Sequence, residues 1–202
     1  WSPIAESRRG GCTVVCAFPI DTLAPGRLPA PSVQFTAADH IGALAVSGER
    51  QQVLGAGWDT ESVYAWDFTG RLIRTFSSPE LRALRLGTQA GPDARSGVAV
   101  QDWKFVGDRL YAGGLFQSPE GTGPTPRSRL LTIDRFGQKD VSVRSLPIGL
   151  HRGIELASEG MAVGGGFVWF LPEDLGASNR LFRLTVWSEE SRNRGHHGGP
   201  PE

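Results

Sequence analysis

The sequence predicts an all-β chain built from short antiparallel strands. Two observations carry that expectation. Apolar runs are brief and are broken by glycine and proline, 27 and 14 among 202 residues, which favours many turns over long helices. The same order of short strands also recurs along the chain. A chain of this length makes one domain, occasionally two, and buries a sizeable core, about 70% of its unfolded surface for ~150 residues.

The recurring unit is legible three times. The first copy runs through His40–Val46, Val53–Trp58, Val63–Gly70 and Arg71–Phe76. The second runs through Asp102–Val106, Arg109–Gly114, Leu130–Gly137 and Asp140–Arg144, and the third through Glu159–Val163, Phe167–Leu171 and Leu181–Val186. The first strands end at Val46, Val106 and Val163, somewhat further apart than the ~40–50 residues usual for propeller blades, with longer loops as the reason. Val63–Gly70 and Leu130–Gly137 match best: both read apolar, any, any, apolar, Asp, any, any, Gly. The Asp and the Gly are turn residues that open a hairpin.

Each unit reads as a four-stranded antiparallel meander. Alone it would expose apolar faces, and stacking on neighbours buries them. Gly113, Gly114 and Gly164–Gly166 suit tight turns or close backbone approaches. A β-sandwich also has short strands, but nothing in it requires one motif order to repeat. The predicted architecture is therefore a partial β-propeller. Thr13–Phe18 and Ser32–Phe35, joined by the proline-rich linker Pro25–Pro31, read as the outer half of a further blade. That makes about three and a half blades, where a ring closes with at least about four. The boundaries read 1–38 for the incomplete blade and linker, 39–100, 101–157 and 158–187 for the blades, and 188–202 for a polar tail expected to be disordered. Closing the ring would take further sequence or a second chain.

Composition removes several function classes. Lys plus Arg equals Asp plus Glu, 21 against 21, so no electrostatic footprint for nucleic acid is present. No apolar run approaches the ~20 residues that span a bilayer. The chain starts at Trp1 and not at Met, and with no signal peptide read in it the expectation is a processed chain, a piece cut from a longer one or a fragment, with a secreted and a cytoplasmic location not distinguished. On one strand Cys12 and Cys16 would lie about 13 Å apart, too far for the roughly 7 Å that a disulfide spans. Two cysteines also fall short of the four ligands of a structural zinc site, and both are expected as buried small apolar residues.

Several phrases resemble an uncharacterised bacterial and fungal propeller-like family of unknown function. They are Asp39-His-Ile-Gly42, Gly57-Trp-Asp59, Tyr64-Ala-Trp-Asp67, Gln101-Asp-Trp-Lys-Phe105, Glu159-Gly-Met-Ala162, Leu171-Pro-Glu-Asp174 and Arg180-Leu-Phe182. The resemblance implies the C-terminal half of a six-bladed ring and supplies no activity. By fold alone the chain is also similar to propellers of the gluconolactonase and regucalcin type, which hold a divalent cation in the central channel.

The first strand of each blade lines the channel, so its opening residues converge on the axis. Here those are His40, Asp102 and Glu159. Imidazole and carboxylates together suit a divalent cation, Ca²⁺, Mg²⁺, Mn²⁺ or Zn²⁺, or shared proton transfer. The bland reading is that such residues cap turns. A second layer is Trp58 with Asp59 and Glu173 with Asp174, the last two following Pro172 into a loop. Trp58, Trp66, Trp103 and Trp169 are expected in the core, and His196–His197 in a solvated tail. There is no nucleophile elbow, phosphate loop or dinucleotide fingerprint. Two functions follow: a binding or scaffold module of unknown ligand, or a metal-dependent lactonase- or esterase-like hydrolase acting on a small molecule in the channel.

Overall fold

The computed structural model describes residues 11–27, 29–87, 97–116, 127–172 and 180–185. Within them the chain is almost entirely β. A pair, β1 (Thr13–Ala17) and β2 (Val33–Ala37), comes first. A four-stranded antiparallel sheet follows, β3 (Ile41–Ser47), β4 (Gln52–Gly57), β5 (Val63–Asp67) and β6 (Leu72–Phe76), in sequence order. The second sheet repeats that order with β7 (Val98–Val106), β8 (Arg109–Phe116), β9 (Ser128–Asp134) and β10 (Ser142–Pro147). A short hairpin, β11 (Leu150–His151) and β12 (Ile154–Glu155), leads to a three-stranded sheet of β13 (Gly160–Gly164), β14 (Phe167–Leu171) and β15 (Phe182–Thr185). These meanders, with β3 beside β7 and β7 beside β13, make the partial propeller that the repeat predicts.

The sheets are held by side chains packed between them. Small residues of the first sheet, Ala43, Ala45, Ala56 and Ala65, leave room for Trp103, Leu131, Ile133 and Phe136 of the second in one buried cluster. A second cluster joins Tyr111 and Leu130 to Met161, Val168 and Phe170. Gly114 is required where backbones meet: a Cβ there would overlap the Ala99 carbonyl.

The Asp–Gly turns form as the sequence predicts. Asp67 Oδ1 accepts from the Thr69 N–H at 2.9 Å and the Arg71 N–H at 3.1 Å, while Gly70 adopts φ 86°. Gly137 takes the same left-handed conformation at φ 80°.

Two contacts recur between successive sheets. A hydroxyl at or just before β1, β5 or β9 accepts a backbone N–H from in or just before the first strand of the next sheet. Thr13 Oγ1 accepts from Ile41 at 2.9 Å, Thr60 Oγ1 from Val100 at 2.9 Å, and Ser128 Oγ from Ala157 at 3.1 Å. A phenylalanine also seats against the turn glycine of the next sheet. Phe35 lies so close to Gly70 that a Cβ there would collide with its ring, and Phe76 lies 3.5 Å from where a Gly137 Cβ would stand.

Some expectations are corrected. Cys12 and Cys16 are free thiols but exposed, because the β1 side that carries Val15 inward turns Val14 and Cys16 outward. Trp66 and Trp103 are buried, whereas Trp58 is 37% exposed, since it lies just beyond the end of β4. The third sheet shows three strands among the described residues. A helix, α1 (Ser78–Ala83), follows β6 with a capping box, Ser77 and Glu80 exchanging side-chain and backbone bonds. The tail expected at 188–202, including His196 and His197, lies outside the described residues.

Candidate functional site

A hollow of about 470 Å³ opens between β1, β3, β7 and the start of β13. Its border includes Thr13–Cys16, Ile41–Leu44, Gln101, Asp102, Lys104, Glu159 and Gly160. Successive side chains of a strand point to opposite faces. Four consecutive residues on β1 and four on β3 therefore reach the hollow with their backbone edges, not with one side-chain face.

Asp102 and Glu159 both border this hollow. Asp102 is heavily engaged. Its Oδ1 accepts from the Trp103 N–H at 2.8 Å and from Lys104 Nζ at 2.6 Å, and its Oδ2 accepts the Met161 N–H at 2.8 Å. The last bond crosses from β7 to β13, so the carboxylate ties two sheets together. Lys104, with a side chain 40% exposed, was not singled out from the sequence. Its position two residues after Asp102 on one strand was the available signal.

His40 is not on the border of the hollow. Its ring stacks on Trp58 at 5.4 Å between centroids and 18° between planes. Trp58 packs in turn over Gly42, where a Cβ would come within 3.3 Å of the indole. The separation has a physical cause in the ladder. Register slips at Gly42 in the first sheet and at Gln101 in the second. Counted across these bulges, Asp102, paired with Gly113, corresponds to Ala43, paired with Ala56. His40 thus falls further upstream than a count from the strand ends gives. Among the described residues no three His, Cys, Asp or Glu side chains are grouped as metal ligands, so His40, Asp102 and Glu159 do not form one ligand set.

Near His40, Asp39 is the busier acid. Its Oδ1 accepts the His40 N–H at 2.7 Å and its Oδ2 accepts the Tyr64 hydroxyl at 2.9 Å. Burial, with Asp39 beside it, raises the Tyr64 pKa above its usual value. Asp59 is exposed and accepts the Glu61 N–H at 3.0 Å, a local turn bond. Glu173 and Asp174 lie outside the described residues.

An acidic recess of about 470 Å³ is lined by Asp108, Asp134, Arg135, Asp140 and Ser142. Each carboxylate there has an arginine: Arg50 for Asp108 at 2.8 Å, Arg109 for Asp134 at 2.5 Å, and Arg135 for Asp140. The Arg109 bond holds Asp134 below the usual carboxylate range, and Asp134 in turn raises Arg109. This recess is a set of structural ion pairs. Among the described residues no helix is long and apolar enough to cross a membrane.

No family model matches the chain, and no curated protein matches it. Among solved structures it is similar to streptogramin B lyase, at 13% identity and a TM-score of 0.37, over 73% of this chain and 41% of that one. The chain thus spans less than half the length of that protein. At this level the likeness carries no conclusion, and the propeller-like arrangement rests on the sheets themselves.

Proposed function

We propose that this chain is a propeller binding or scaffold module, with the hollow beside β1, β3, β7 and β13 as its binding surface. The engagement of Asp102 carries the reading. A carboxylate that accepts two backbone N–H groups and a lysine ammonium is committed to joining strands, and beside this Lys104–Asp102 pair the hollow presents strand edges and Glu159. The family-type phrases around Asp39, Gly57 and Gln101 fit a propeller of unknown activity. The metal-dependent hydrolase reading would need a ligand set that His40 does not join. The test is turnover of a lactone and ester panel with Ca²⁺, Mg²⁺, Mn²⁺ or Zn²⁺ added, with thermal melts alongside. The module reading expects no turnover above buffer and no cation-induced shift. Turnover abolished by Asp102→Asn, in a variant that still folds, would overturn it.

A further inference from the structure

We infer that a second hollow, between the two four-stranded sheets at the β3–β4 and β9–β10 turns, is a binding site for a small organic monocarboxylate. The inference goes beyond the module reading. This hollow shares no bordering residue with the one beside β1, and the sheets that form it are both four-stranded.

Two arginines from different elements of the first sheet converge on one turn of the second. Arg50, between β3 and β4, donates from Nη1 to the Phe136 carbonyl at 2.6 Å. Arg74, on β6, donates from Nη1 to the following carbonyl, that of Gly137, at 3.2 Å. Neighbouring carbonyls of one turn are close together because consecutive Cα atoms are about 3.8 Å apart. Both guanidinium groups are thereby brought to one hollow of about 450 Å³. Each is also stacked on a ring, Arg50 at 5.4 Å from the Phe105 centroid and Arg74 at 4.3 Å from that of Phe76.

Folding uses only part of each guanidinium. The group carries about five N–H donors in a fixed fork. Arg50 spends Nε and Nη2 on Asp108 Oδ1 and Nη1 on the turn, and Arg74 spends Nη1 on the turn and Nη2 on Glu80. The other N–H groups of both forks have no acceptor among the described residues. The side-chain amides of Gln52 and Gln138, which border the same hollow, have no hydrogen-bond partner among them either.

Charge and shape set the ligand class. Among the bordering residues Arg50 and Arg74 stand against Asp108 alone, a surplus of one positive charge. Glu80 reaches Arg74 from outside that border, and its other oxygen is taken by Ser77 at the start of α1. One carboxylate matches the surplus, and a phosphate dianion exceeds it. A planar carboxylate also fits the guanidinium fork with two parallel N–H bonds. Ala65, Ile73, Phe76 and Phe136 supply an apolar wall, so the carboxylate carries an apolar body that lies against it. The volume falls among those of small-molecule sites, about 300–1,000 Å³.

The probe is benzoate, titrated into the full chain labelled with ¹⁵N, with benzamide and inorganic phosphate alongside. The expected result is a saturable shift of the Arg74, Gly137 and Gln138 amides, with a Kd of about 1 mM. Benzamide should give none, and phosphate should bind more weakly. Arg74→Gln, at a side chain 43% exposed, should weaken benzoate at least about tenfold. Gln138→Ala, in the exposed turn, should weaken it about two- to fivefold and keeps the test open if Arg74→Gln does not fold. No saturable shift at any soluble benzoate concentration would overturn the inference. So would equal shifts with benzamide, tighter binding of phosphate, or a benzoate affinity that neither variant lowers. Shifts centred on Asp102 and Lys104 would put the carboxylate in the hollow beside β1 and overturn this site.

Discussion

The boundary between the first and second full sheets and the boundary at β1 are built from the same contacts and filled differently. Both carry a threonine hydroxyl bonded to the incoming strand and a phenylalanine against a turn glycine. Between the full sheets the inner space is occupied by Ala43, Ala45, Leu54, Trp103 and Ile133, all buried. At β1 the inner space is the hollow, bordered by strand edges, Asp102, Lys104 and Glu159. At β1 the outer-strand contacts stand beside a hollow, whereas between the full sheets inner and outer strands bury apolar side chains together.

Core truncation sharpens this contrast most. Trp103 is fully buried at the first boundary, and its indole N–H meets no acceptor. Trp103→Ala should destabilise the fold by about 3–5 kcal/mol in urea denaturation, as large-to-small core changes do. Trp103→Phe should cost less, since it also removes an unsatisfied donor.

The turn glycines test whether the two boundaries differ in tightness. At Gly70 a side chain would meet both a positive φ and the Phe35 ring, so Gly70→Ala should cost about 2–4 kcal/mol and loosen β1–β2. At Gly137 the Phe76 ring stands 3.5 Å from the added carbon, and the penalty should be the conformational one, about 1–2 kcal/mol. Equal losses in chemical denaturation would contradict the distinction.

Asp102 links the hollow to the third sheet. Asp102→Asn keeps one acceptor oxygen and loses the charge opposite Lys104, and should cost about 1–3 kcal/mol. A loss confined to β13–β15 by hydrogen exchange is expected. Lys104→Met should cost less, about 0–1 kcal/mol, because its side chain is 40% exposed.

The smallest expected effect is electrostatic. Asp134 is held below its ordinary value of 3.8, first by the Arg109 hydrogen bond. A lowered folded pKa adds stability that is complete above the unfolded value and lost as pH falls through the folded one. Thermal midpoints should therefore decline below about pH 4, and Asp134→Asn should flatten part of that decline. Asp67, lowered chiefly by the Thr69 hydroxyl, acts in the same direction.

Much of the fold was legible because hairpins are local. Apolar alternation and the Asp67–Gly70 and Asp134–Gly137 turns mark strands without knowledge of what they pack on. The helix after Phe76 was also written in the chain, as Ser77, Pro79 and Glu80 in capping-box spacing, but six residues give little periodicity to read. The site was less legible. Bulges at Gly42 and Gln101 change which residues correspond, and nothing in the residues beside them announces a register slip. Exposure of Trp58 and Cys16 depends on which neighbours are present, and that is a property of the stack.

Hydrogen exchange across the strands tests the central claim most directly, that β1 is a seated strand whose inner edge pairs with no other strand among the described residues. The account predicts slow exchange in β4, β5, β8 and β9, each flanked by strands on both sides, and fast exchange at the β1 amides that do not face β2. Protection throughout β1 equal to that of β8, in the chain by itself, would contradict it.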